Sequence, residues 1–280
     1  MCNRLREPIG RSPVIAFFVL TFLLSWVVWL PFAAFDVPQS TLTTALFLVG
    51  GFGPAVAGGL MTWLLGDDIR AWIGQLLRWR VALRYWGVAF LLPAAIMVIA
   101  GTIGIAAFGA EPTLPTVDQL MVYPVVMAFV FLAGGGNEEP GWRGFALPRL
   151  QADYSALTAS LIVGVGWATW HLPLFFIPWS SQASLPFVLW ATAVLAQSVI
   201  FTWFYNTTGG SVLLPMVLHA SVNNSTIFYL AGRSQAVATE LGYGIYTAVL
   251  IVAAVALIGL YGSDRLADGP IPTGPAGRRG

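Results

Sequence analysis

Lysine is absent from this sequence of 280 residues, cysteine occurs once, histidine only twice, and charged residues make up 9% of the chain. Each scarcity excludes something. Cys2 alone cannot form an intrachain disulfide or a cysteine-based zinc site. The longest polar interval inside the apolar part is about 66–85, too short for a separate soluble domain. The net charge of +1 carries little information, and no nucleic-acid partner is expected.

What is abundant is apolar surface. Hydrophobic residues reach 58% and the mean hydropathy is +0.79, outside the range of soluble domains, so lipid is the solvent for most of the chain. Lipid cannot satisfy unpaired backbone groups, which restricts spanning segments to helices or closed barrels. The runs are uniformly apolar and lack a barrel's alternation. The expected fold is all-α: a polytopic helical bundle with about eight spans, near 14–35, 41–65, 86–108, 120–136 with a continuation, 156–177, 185–205, 211–230 and 242–262. Residues 1–262 then form one bundle, and 263–280, rich in Pro, Gly and Arg, a disordered cytoplasmic tail.

Basic residues favour the cytoplasmic ends of spans. With both termini inside, Arg4, Arg6, Arg11, Arg70, Arg78, Arg80, Arg84, Arg143, Arg149, Arg265, Arg278 and Arg279 all fall in the cytoplasm and only Arg233 outside. The apolar run after Arg11 is too long for a cleaved signal and reads as the first span. The segment 70–84 spaces Arg and apolar residues as an amphipathic helix lying in the interface does. Gly50, Gly51, Gly53, Gly58 and Gly59 allow close helix approach in the second span.

Ionisable groups inside spans cost about 2.5–3.5 kcal/mol on insertion scales, so where they occur they are functional candidates. One set stands out. Glu138, Glu139 and Arg143 follow the fourth apolar run, in Gly134-Gly-Gly-Asn-Glu-Glu-Pro-Gly-Trp-Arg143, and both histidines, His171 and His219, lie in later spans. On a helix Glu139 and Arg143 can pair at i,i+4, leaving Glu138 free, although Pro140 kinks or restarts that helix. Trp167 shares a face with His171, and Asn223 lies one turn beyond His219. Singly, each element also reads as a capped helix end or a packing polar group. Together they supply a base, an orienting imidazole and two neutral hydrogen-bond donors, the parts needed to hydrolyse an amide.

The pattern Glu138-Glu139-x-x-x-Arg143, a histidine on a following helix, and His219-x-x-x-Asn223 resembles the CPBP family of CAAX proteases and bacteriocin-processing enzymes, also called Abi, whose eukaryotic members are type II CAAX prenyl endopeptidases. The resemblance implies a protease core over about 120–230. It implies that Glu138 activates water with His171 as its partner, that His219 and Asn223 receive the oxyanion, and that Glu139 and Arg143 support the structure. It also implies a membrane-associated peptide or protein substrate, cut near the cytoplasmic face. One departure is visible: Trp167 stands where the family usually has phenylalanine. Counted at ~1.5 Å per residue from assumed helix ends, His171 comes out deeper in the membrane than Glu138 or His219.

Two other readings stay open. Glu138, His171 and His219 form an acceptable zinc triad, although H-E-x-x-H is absent. The preferred mechanism requires no cofactor. Alternatively, the polar cluster belongs to a non-enzymatic scaffold or transport protein. A serine protease is disfavoured because no G-x-S-x-G occurs. Arginine without lysine suits a high-GC prokaryotic genome, and hence a prokaryotic plasma membrane.

Overall fold

The computed structural model of the protein describes residues 11–35, 37–231 and 239–274; Cys2, Arg4, Arg6, Arg233, Arg278 and Arg279 lie outside them. Among the described residues the fold is all-helical, with one isolated antiparallel bridge, Pro112 to Ala231. The ten principal helices are α1 (Pro13–Ala34), α2 (Thr41–Gly50), α3 (Gly53–Leu65), α4 (Ile69–Leu76), α5 (Leu83–Phe108), α6 (Val117–Ala133), α7 (Ala156–Trp170), α8 (Phe187–Thr207), α9 (Leu213–Asn224) and α10 (Glu240–Tyr261). Between α6 and α7 the chain runs through a broken segment: a 3-10 turn Gly136–Glu138, a short helix Glu139–Gly141, a π-helical turn Trp142–Ala146 and a last turn Leu147–Leu150.

Among the described residues six helical stretches are long and apolar enough to cross a bilayer, or seven if the bent pair α2 and α3 is one span, and the chain is an integral membrane protein. The expected count was eight, and the difference falls at 211–230. That run is apolar, but it follows Gly209 and Gly210, both at positive φ, and holds only the 12 residues of α9 before a 3-10 turn at Ser225–Phe228. Twelve residues rise ~18 Å, well short of the ~30 Å hydrocarbon core. Most of α9 is buried, including His219, Ser221 and Asn224, while Asn223 is exposed and donates to the Gly134 carbonyl.

The second run also departs from a single straight helix. Gly50 through Pro54 bends it by 40°. The carbonyls at this bend find side-chain donors: Ser25 Oγ donates to Gly50 O at 2.7 Å, and Asn137 Nδ2 to Gly51 O at 2.8 Å. In lipid such carbonyls would otherwise stay unpaired at a cost of several kcal/mol. The bend therefore ties α1 and the broken segment together.

The broken segment then passes α3 so closely that a Cβ on Gly141 would overlap the Pro54 carbonyl, and one on Gly58 would sit 3.1 Å from Gly141 Cα. Gly141→Ala is accordingly expected to destabilise the protein by about 1–3 kcal/mol. A lowered denaturation midpoint in detergent would show it, whereas an unchanged midpoint would mean the backbones are not in that contact.

Three further features frame the site. Helix α4 is capped by Asp68, whose Oδ1 accepts from Arg70 N and Ala71 N, and Gln75 Nε2 reaches back to Gly144 O at 3.4 Å. It is an anchored connector shorter than the expected 70–84. Helix α6 has no buried residue. The tail expected to be disordered packs over its described part: Leu266 is fully buried, the carbonyls of Ser263 and Asp264 accept from Leu157 N and Ala156 N, and Arg265 O accepts from Asn206 Nδ2. Backbone pairing with the free first turn of α7 and with a buried amide outweighs the segment's lack of apolar pattern. Residues 275–280 lie outside the described residues.

Candidate active site

Glu138 ends the 3-10 turn that starts the broken segment. The turn is set by Gly135, whose φ of +143° favours glycine, and by Asn137, whose Oδ1 accepts from Gly135 N at 2.9 Å. Glu138 is buried, and its Oε2 accepts from two indoles, Trp167 Nε1 at 2.7 Å and Trp142 Nε1 at 3.3 Å. No hydrogen bond reaches Oε1 among the described residues, and Glu138 lines the cavity described below.

The expected Glu139–Arg143 pair forms, with Nη1 to Oε1 at 3.1 Å and both side chains fully buried. It extends further than its i,i+4 spacing shows. The same Oε1 lies 2.8 Å from His219 Nδ1, and Arg143 Nη2 donates to Ser198 Oγ at 3.3 Å. The guanidinium lies 5.0 Å from the centre of the Trp167 ring and 4.7 Å from that of Phe201. A carboxylate that also takes a guanidinium is an acceptor, so His219 donates from Nδ1 and turns Nε2 away from Glu139.

With Nδ1 engaged by Glu139, the ring nitrogen left to face the cavity is Nε2. His171, at the C-terminal end of α7, has Nδ1 3.0 Å from the Trp167 carbonyl. A carbonyl only accepts, so the neutral ring carries its proton on Nδ1 and presents the lone pair of Nε2.

Asn223 donates from Nδ2 to Gly134 O at 2.6 Å, which leaves the second amide hydrogen free for another acceptor. A Cβ built on Gly135 would lie 2.7 Å from Asn223 Nδ2 and 2.8 Å from His219 Nε2. Both nitrogens therefore crowd the same glycine, which places them within about 5.5 Å of each other, close enough to share one acceptor oxygen. Donors 2.7–3.1 Å from a developing oxyanion are the geometry that stabilises it.

All four expected residues, Glu138, His171, His219 and Asn223, line one cavity of about 730 Å³, with Gly134, Gly135 and Trp167. The expected difference in depth does not keep His171 from it: His171 closes α7 and lines the same cavity as Glu138 and His219. Trp29, Phe47, Met97, Phe129 and Trp190 give the cavity apolar walls, and Ser180 with Gln182 gives part of its polar lining. Among the described residues, Glu138, His171 and His219 do not close into a group of three ligands able to hold a metal ion.

The sequence alone marks no role for Gly135, Asn137 or Trp142, and shows Trp167 as a neighbour of His171 on one helix face and as a departure from the family pattern. A signal existed for the tryptophans: Trp142 is four residues after Glu138, and Trp167 four before His171.

Two comparisons bear on this site. The family described as "Type II CAAX prenyl endopeptidase Rce1-like" matches residues 119–225, an interval that holds every candidate residue above. The chain is also 23% identical over 252 residues to CAAX prenyl protease 2 of Methanococcus maripaludis, an alignment covering 84% of this chain and 92% of that protein.

Proposed function

We propose that this chain, whose residues 119–225 match the family described as Type II CAAX prenyl endopeptidase Rce1-like, is a member of that family and an intramembrane endopeptidase that cuts a membrane-associated substrate with water activated by Glu138. The observation that carries the reading is the meeting of an indole-held carboxylate, two imidazoles and an amide on one cavity, with His219 Nε2 and Asn223 Nδ2 converging beside Gly135.

Water held between Glu138 Oε1 and His171 Nε2 gives a proton to the carboxylate as its oxygen adds to the peptide carbonyl. The carbonyl oxygen becomes an oxyanion between Asn223 Nδ2 and His219 Nε2, the His219 ring carrying a proton on each nitrogen in this step. Collapse of the tetrahedral intermediate breaks the C–N bond, and Glu138 returns the proton to the leaving amine. Glu139 and Arg143 keep His219 turned toward the oxyanion.

The substrate in this reading is a prenylated CAAX-type C-terminus, in line with the name of the archaeal relative. The apolar wall of Trp29, Met97 and Phe129 suits a prenyl chain.

Cleavage of a prenylated peptide by the purified protein in detergent tests this, with and without a chelator. Asn223→Ala and His219→Ala are each expected to lower kcat by about 10²–10³-fold. Chelator-resistant cleavage with these losses supports the water mechanism, chelator-sensitive cleavage supports zinc at Glu138, His171 and His219, and full activity in both variants would refute the site.

A further inference from the structure

We propose that Trp167 is a positioning residue whose indole N–H selects which oxygen of Glu138 acts as the base, an inference that rests on the reading of Glu138 given above. Three observations meet at this side chain. Its Nε1 donates to Glu138 Oε2 at 2.7 Å, the shorter of the two bonds to that oxygen, while Trp142 donates at 3.3 Å. Its ring stands edge-on to His219 with centroids 5.1 Å apart and lies against the Arg143 guanidinium. Its carbonyl takes the Nδ1 hydrogen of His171.

A carboxylate has two equivalent oxygens and a soft terminal torsion, so an isolated Glu138 would present either of them to water. Two N–H donors on Oε2 remove that equivalence. Oε1 is then the oxygen that meets the attacking water, and the carboxylate plane is held before substrate arrives. Such pre-organisation acts on the chemical step more than on substrate binding. Trp167 is also only 2% exposed, so solvent cannot replace its hydrogen bond. A phenylalanine at this position would keep an aromatic ring and lose the donor.

The experiment replaces Trp167 in the full-length protein with benzothienylalanine, which keeps the bicyclic shape and substitutes sulfur for the N–H, alongside Trp167→Phe. The backbone bond to His171 survives in both. The expected result is a fall in kcat of about tenfold to a hundredfold, the scale of one hydrogen bond to a charged group, with KM essentially unchanged. In a Glu138→Gln background the same replacement should cause no further loss. A folded benzothienylalanine protein with wild-type kcat would overturn the positioning role while leaving Glu138 as the base. Loss through KM alone would make Trp167 a wall of the substrate pocket and overturn it equally. If Glu138→Gln itself cleaves normally, the underlying reading fails, and that outcome is distinct from the other two.

Discussion

Glu138→Gln is expected to lower kcat for peptide cleavage by about 10²–10⁴-fold, the range assigned to a positioned general base. The amide is nearly isosteric, and its carbonyl oxygen can still accept from Trp142 and Trp167, so the bonds now made at 3.3 and 2.7 Å need not be lost. What disappears is the capacity to take a proton from water. The denaturation midpoint and detergent elution profile should therefore match wild type while activity falls. A glutamine variant that turns over at the wild-type rate would end the base assignment. One that fails to fold would shift Glu138 into the category of buried structural polar groups.

The second large effect is on stability. Glu139→Ala should cost about 3–5 kcal/mol, because it leaves the Arg143 guanidinium fully buried without its carboxylate. Replacing the pair together, Glu139→Ala with Arg143→Met, removes both charges, and buried pairs exchanged for apolar side chains are often neutral. The double variant should thus regain much of the stability lost by the single one. Cleavage should not return, since the oxygen 2.8 Å from His219 Nδ1 has gone and nothing holds the ring's other nitrogen toward the cavity. Denaturation midpoints and kcat on the same three proteins separate the outcomes. Recovery of activity together with stability would show that Glu139 holds the fold and does not orient His219.

Much of this architecture was legible in the sequence because lipid enforces a simple rule: apolar runs of about 20 residues become spanning helices. The rule fails where protein replaces lipid around a segment. Helix α9 is enclosed by its neighbours, so its run reads as a span yet stops after 12 residues. The break in the second run was foreshadowed by Gly53-Pro54, but its repair by Ser25 and Asn137 joins residues far apart in sequence.

The site shows the same limit. Glu138, His171, His219 and Asn223 could be picked out because polar groups are conspicuous in apolar surroundings, and spacing of four predicted Glu139 with Arg143. The tryptophans gave no such contrast, since an indole in an apolar run reads as core; only its N–H direction makes it a partner for Glu138. The third member of the Glu139 network, His219, lies 80 residues away and no local pattern connects them. The tail was misread for a related reason: its contacts with α7 and Asn206 run through backbone carbonyls, which composition does not report.

Helix α6 gives the bilayer itself a part in this chemistry. None of its residues is fully buried, so one side, with Leu120, Met121, Val125 and Leu132, is exposed to lipid, while the other is held to the bundle where Asn224 Nδ2 donates to Tyr123 O and the Tyr123 ring meets Phe228. Immediately past the end of the helix, the Gly134 carbonyl accepts from Asn223 Nδ2, and Gly135 packs against both Asn223 and His219. On the reading proposed above, acyl-chain length in the host membrane is expected to act through α6 on the two groups that meet the oxyanion, and reconstitution in bilayers of graded thickness would test this without altering a single residue.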